Sequence, residues 1–285
     1  MTRDNQRGEG ISMLPIRIGL VDTTGRIDAA MVADVAAALN VQVARDLARY
    51  WPVAATVSYL PDLARIPQGM WPVMLVSHLP PNQGGVHLTQ ANQPFAKVLA
   101  SPDSPEWTID ASHEILEMLV DPSGNRLHSS QAIEIQGGDV VDAPGQLEYL
   151  VEVCDPCEAD ELAYHIDGFA VSDFITPHYY DAHPIAGTRY SFNGTIERPR
   201  QLRPGGYVSF VDPSTGHLRQ ILWTDPHAGP QPRSLDPASG PSLRMFVENQ
   251  TRAESLRHRR GAPKAFADQR KLIDAHSRLR AARYL

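Results

Sequence analysis

Long apolar runs are missing from this chain. No stretch approaches the roughly 18–20 consecutive apolar residues that a bilayer span requires. The opening MTRDNQRGEGISMLPIRIG also lacks the apolar centre of a secretory signal. Both absences predict a soluble, cytoplasmic protein with no membrane partner. Cysteine is scarce: Cys154 and Cys157 are the only two, which excludes a disulfide framework and suits a reducing compartment. Internal repeats and long low-complexity tracts are lacking as well. What remains is a chain of 285 residues, 42% hydrophobic, long enough for one large core or two small ones.

The net charge of −7 is unevenly spread. Residues 247–285 hold ten Lys or Arg against four acids, so the rest of the chain carries about −13. An acidic body with a basic tail predicts that the tail contacts an acidic protein surface, its own body included; a solvated helical extension is the plainer reading. Aromatic interleaving and a nucleic-acid-binding motif are both absent from the tail, which argues against nucleic acid as the partner.

Hydrophobic patterning divides the chain. Leu14 to Val21 reads as a buried strand, and Ile27 to Tyr50 as a long helix with Val32, Val35, Leu39, Val43 and Leu47 at helical spacing, stopped by Pro52. Strand-like pieces follow at Ala55 to Leu60, Pro72 to Ser77, Val86 to Thr89 and Phe95 to Leu99. A second helix is expected to start near Thr108 or Asp110, either of which could cap it, and to end at Asp121-Pro122. Beyond Gly137 the pattern changes to strands. Leu147 to Val153 alternates, Asp167-Gly168 and Asn193-Gly194 read as hairpin turns, and Gly205 to Trp223 reads as a further hairpin.

The second helix holds the chemistry. Its sequence is TIDASHEILEMLVDP. At 100° per residue, Asp110, His113, Glu114, Glu117 and Asp121 share one arc of roughly 100°, with Ile109, Ile115, Leu116, Leu119 and Val120 opposite. A solvated amphipathic face would show Glu to Lys pairs four apart. None is present; Asp110/Glu114 and Glu117/Asp121 are like-charged at that spacing, and a bound cation would reverse the repulsion. His113 and Glu117, four apart, can share one ion, and Glu114 then lies where the general base lies in the H-E-x-x-H metallopeptidases. Here the motif is H-E-x-x-E. A carboxylate is a competent zinc ligand, although it makes the ion a weaker Lewis acid than a second imidazole would.

A catalytic zinc takes three protein ligands. Asp121 lies two turns from His113, on the order of 12 Å along the axis, too far to share its ion, and is expected to end the helix. The acidic segment Glu148 to Glu161, EYLVEVCDPCEADE, is the better source. A lone C-x-x-C is only half of a four-cysteine zinc site, and acidic surroundings disfavour a redox role, so Cys154 and Cys157 are expected as packing or auxiliary ligands. For a donor to a developing oxyanion, ITPHYYD offers His178, Tyr179 and Tyr180; packing is the plainer role for each.

The order strand, long helix, strand, strand, short strand, strand, motif helix resembles the N-terminal half of the zincin metallopeptidases over residues 14–122. In that family the short edge strand, here Val86 to Thr89, holds an extended substrate. Residues 113–122 also resemble the H-E-x-x-E-x-x-x-D-P helix of a group of bacterial proteins that have a later E-[I/V]-x-D-x-C element. Glu152, Val153, Asp155 and Cys157 fit it. That resemblance implies Asp155, or else Glu152, as the third ligand.

The expected architecture is therefore α+β. Residues 12–223 form a zincin-like domain, with a mixed sheet and the motif helix in 12–125 and a hairpin-rich part in 126–223. A Pro/Gly-rich linker (224–245) and a basic helical tail (246–285) follow. The expected function is zinc-dependent peptide hydrolysis, with one Zn²⁺ on His113, Glu117 and Asp155 or Glu152, Glu114 as base, and Tyr179 or His178 assisting. The alternative is a catalytically inactive, zincin-like metal-binding structural or assembly protein.

Overall fold

The computed structural model describes residues 14–80, 83–235, 242–247 and 251. It shows a mixed α+β fold with two five-stranded sheets. In the first sheet the order is β2-β1-β3-β5-β4. Strand β1 (Ile16–Asp22) pairs in parallel with β2 (Ala55–Tyr59) and β3 (Met70–Val76), and β3 in parallel with β5 (Gln93–Leu99). The edge strand β4 (Gly85–Gln90) runs antiparallel to β5. Ile18, Leu20, Val73 and Leu75 in the central strands are fully buried, as expected for parallel strands covered on both faces.

Helix α1 (Ala29–Val41) begins at Asp28, whose side chain accepts hydrogen bonds from the Ala30 and Met31 amides. The expected single helix to Tyr50 changes pitch instead. A π-helical turn (Gln42–Asp46) and a 3₁₀ turn (Leu47–Arg49) continue it. The wider turn brings Gln42 and Asp46 together on the Tyr164 hydroxyl, at 3.1 and 2.9 Å. Helical spacing in the sequence does not reveal this long-range pull.

Helix α2 (Trp107–Val120) is buried at every position and packs against β4 and β5. Neither Thr108 nor Asp110 caps it. The first turn starts earlier, and the Thr108 hydroxyl donates to the carbonyls of Ala170 and Pro105. Asp121 does end the helix, accepting from the Ser123 hydroxyl and the Arg126 amide. Ser112 joins the two helical segments, donating to Gln42 Oε1 at 2.7 Å.

The second sheet is antiparallel, ordered β12-β11-β10-β7-β6. A long hairpin, β6 (Leu127–Gln136) and β7 (Asp139–Leu150), turns at Gly137-Gly138, both with positive φ. Strands β10 (Tyr207–Asp212) and β11 (His217–Leu222) form the expected hairpin. A small hairpin, β8 (Tyr164–Ile166) and β9 (Phe169–Val171), turns at Asp167-Gly168. Asn193-Gly194 is not a hairpin turn. The Asn193 amide is held instead by the carboxylate of Asp173, which also accepts from Phe174 N and Thr195 Oγ1.

One apolar cluster runs from β1 and α1 through α2 to Tyr149 and Phe210 of the second sheet. Residues 224–245 were expected as a linker, yet they supply β12 (Gln231–Ser234), paired to β11. The helical turn 243–247 follows, with Phe246 and Val247 packed on Leu150, Leu218 and Leu235. Phe246, Val247 and Thr251 thus belong to the body; the rest of the expected tail lies outside the described residues. Among the described residues no helix is long and apolar enough to cross a membrane.

Candidate metal centre

One turn of α2 separates His113 from Glu117, and Glu114 lies beside them. The chain leaving β7 crosses this face with Glu152, Cys154 and Asp155, then tightens into a 3₁₀ turn (Asp155–Cys157) begun by Pro156. Gly206 fixes the turn's position. A Cβ there would lie 2.5 Å from the Asp155 carbonyl oxygen, so only glycine lets β10 approach so closely. The Cys154 amide donates to Glu117 Oε1 at 3.1 Å. From the opposite side, β4 presents His87, with Nδ1 3.2 Å from Glu114 Oε2. A further side chain arrives from the helical turn 243–247. The Arg244 guanidinium reaches Glu117 Oε2 and Glu152 Oε2 with Nη1, and lies 3.4 Å from Glu114 Oε2 with Nη2.

His113 Nε2 is the convergence point, 3.1 Å from Glu117 Oε2 and 3.2 Å from Asp155 Oδ1. Donor atoms on a tetrahedral ion with bonds of 2.0–2.1 Å stand about 3.3 Å apart, so these spacings suit a shared ion. Glu152 stands close to Glu117 and Asp155, and Cys154 close to His113 and Glu117. All of these side chains, with His87, Glu158 and Arg244, are at most 6% exposed. Asp155 Oδ2 and Glu152 Oε1 are buried with no hydrogen bond, an expensive condition for an acceptor unless a cation is near.

The electrostatics follow from this crowding. Burial disfavours a charged His113, but Glu117 and Asp155 beside it outweigh burial and raise its pKa well above the usual value. Glu117 also feels burial, yet Arg244 and His113 hold it far below the usual carboxylate range. Burial and the Glu117 charge push Asp155 well up. Glu114 is raised by burial, with Arg244 and His113 opposing. Burial first, and then neighbouring carboxylates, raise both cysteine thiols, which keeps them protonated and unreactive.

The structure thus brings His113, Glu114, Glu117, Glu152 and Asp155 together. It does not bring His178, which is half-exposed and paired with Asp181 at 2.8 Å. Tyr179 is fully buried with an unbonded hydroxyl, and burial, with Tyr180, Tyr149 and Cys157 adding and Arg200 opposing, raises its pKa well above the usual value. For its neighbour Tyr180, burial raises the pKa most, with Arg126 opposing and Tyr149, Asp155 and Glu117 adding to the rise. His87 and Arg244 escaped sequence reasoning. The first stands 27 residues from Glu114 and the second 130, with no spacing rule to link them. A broad groove of about 1160 Å³ on the second sheet, between β6–β7 and β10–β12, contains none of these donors. Compared with known proteins, the chain matches no family model, no curated protein and no solved structure.

Proposed function

We propose that this protein is a zincin-like, zinc-dependent hydrolase of peptide bonds. The observation behind this reading is the approach of Glu117 and Asp155 to one nitrogen of His113, at 3.1 and 3.2 Å, with the other Asp155 oxygen buried and without a hydrogen bond. His113, Glu117 and Asp155 would hold one Zn²⁺, with Glu152 close by. The bound ion supplies Lewis acidity, acidifying a water and polarising a carbonyl. Glu114 is the proton acceptor, adjacent in sequence to the ligand His113 and on the same helix face, and burial raises its pKa above the usual carboxylate value. His87 and Arg244 hold its carboxylate in place. Strand β4 lies beside α2 and is bonded on one side only among the described strands, so an extended peptide could add to its outer edge.

The test is metal analysis of the purified chain together with Glu114→Gln. The wild type is expected to bind one zinc and to cleave an unstructured polypeptide. Glu114→Gln should keep the ion and lose at least about 10²-fold in rate, the usual worth of a general base. Absence of wild-type cleavage, or cleavage unaltered by the substitution, would refute the hydrolase reading.

The burial of every donor supports a second reading, a non-catalytic metal that ties α2 to the 151–158 segment, since structural zinc sites are closed whereas catalytic ones keep an open position. That reading expects bound zinc and no cleavage.

A further inference from the structure

Among the described residues the buried donors form four overlapping sets, with Glu117 in three of them, and two of the four share no residue. His113, Asp155 and Glu158 form one; His87, Glu114 and Glu117 form the other; within each, ligand atoms lie within 4.8 Å of one another. His113 Nε2 and Glu117 Oε2, at 3.1 Å, join the two. The second set already contains a cation, because the Arg244 guanidinium contacts Glu114 and Glu117 while also reaching Glu152.

Charge makes the arrangement intelligible. Glu114, Glu117, Glu152, Asp155 and Glu158 are five carboxylates at most 6% exposed, and each uncompensated buried charge costs several kcal/mol. One divalent ion at His113 would leave much of that charge unanswered, and a guanidinium answers more of it without any ligand from solution. The position of Arg244 is built rather than incidental. Its amide donates to the Gly124 carbonyl at 3.0 Å, and the Leu243 amide donates to Asn125 Oδ1 at 2.9 Å. Gly124 has φ +65°, and a Cβ there would sit 2.9 Å from the Arg244 Cβ. The turn that ends α2 thus seats the residue that neutralises α2.

We infer that the cluster is a two-cation centre in which Arg244 is the resident occupant of the His87–Glu114–Glu117 position, standing in for a second divalent ion. Removing the guanidinium converts that position into a metal site. The first position rests on the metal reading given above; the second shares Glu117 with it and is otherwise made by Arg244, His87 and Glu114.

The experiment measures zinc bound per full-length chain by elemental analysis after equilibrium dialysis, with circular dichroism as the check on folding. Wild type and Arg244→Lys are expected to bind one ion, Arg244→Gln two, and Arg244→Gln combined with His87→Ala one. Equal zinc content in folded Arg244→Gln and wild type would overturn the inference, as would a second ion that survives His87→Ala. If Arg244→Gln does not fold, the single variants decide. His87→Ala should retain the wild-type ion and His113→Ala should lose it; loss of the ion in His87→Ala would mean that Arg244 does not hold that position. A wild type without zinc would defeat the hydrolase reading separately, and a gain from none to one in Arg244→Gln would still support this one.

Discussion

Gly85 shows how closely single residues define the centre. A Cβ at this position of β4 would lie 2.6 Å from Glu114 Cγ and 2.7 Å from its Oε1. Gly85→Ala must therefore push Glu114 aside. Overpacking of this kind costs about 1–3 kcal/mol, and a misplacement of about 1 Å in a catalytic group can cost 10²-fold in rate. On the hydrolase proposal, the expected result is unchanged zinc content while peptide cleavage falls by about that factor, measured beside metal content and a denaturation curve. Unchanged cleavage would argue that Glu114 is not the base. At this scale the tetrad His113 to Glu117 was legible because helical spacing is a local rule. Asp155 was reached only through resemblance to a sequence element, and Arg244 could not be reached at all. Nothing local distinguishes an arginine that will be buried among glutamates from one on the surface.

Among the elements, α2 shows how an ionisable face is enclosed. Its front lacks the Glu to Lys pairs of a solvated face, and all fourteen residues are buried, because the 151–158 segment, β4 and the 243–247 turn cover the front. The turn after β1 is simpler. Asp22 accepts from the amides of Thr24, Arg26 and Ile27 and from the Thr24 hydroxyl. Burial works against its charge, but these hydrogen bonds outweigh burial and hold its pKa below the usual aspartate value. A folded value below the unfolded one means that the stabilisation is complete above about pH 4 and is lost as pH falls through the folded value. Asp22→Ala is expected to cost about 1 kcal/mol at neutral pH, with partial solvent exposure keeping the figure small. The gap between variant and wild type should close in acid. Urea titrations at pH 7 and pH 3 measure this, and a gap that widens in acid would contradict the assignment.

The whole molecule couples the two sheets through the centre. The candidate donors come from α2 and from the chain just after β7, which belongs to the second sheet, so an ion bound there would stabilise their docking as well as their geometry. An ion at one hundred times its dissociation constant stabilises the native state by about 2.7 kcal/mol. In a fold of this size that corresponds to a melting shift on the order of 5–10 °C. Chelation of the zinc-loaded chain is expected to lower Tm by that amount, and His113→Ala should show no response to chelator. An identical response in both proteins would place the stabilising ion elsewhere. Within the second half, fully buried Arg200 ties the 181–182 loop to the second sheet, bonded to Asp142 of β7, Ser130 of β6 and the Asp181 and Ala182 carbonyls.

By itself the sequence determined the strands and helices of the first sheet, the α+β class and the identity of the ionisable helix face. Each of these follows from periodicity, capping chemistry and turn residues within about twenty positions of one another. Tertiary structure decided the rest. The stretch 224–245 became a strand and a seat for Arg244 because β11 offered it an edge and the turn after α2 offered it a carbonyl. His178 was set apart from the centre and His87 brought into it by sheet register and helix packing. Burial made the final difference. It turns a helix face with mild like-charge repulsion into a cluster that requires cations, and burial depends on every element at once.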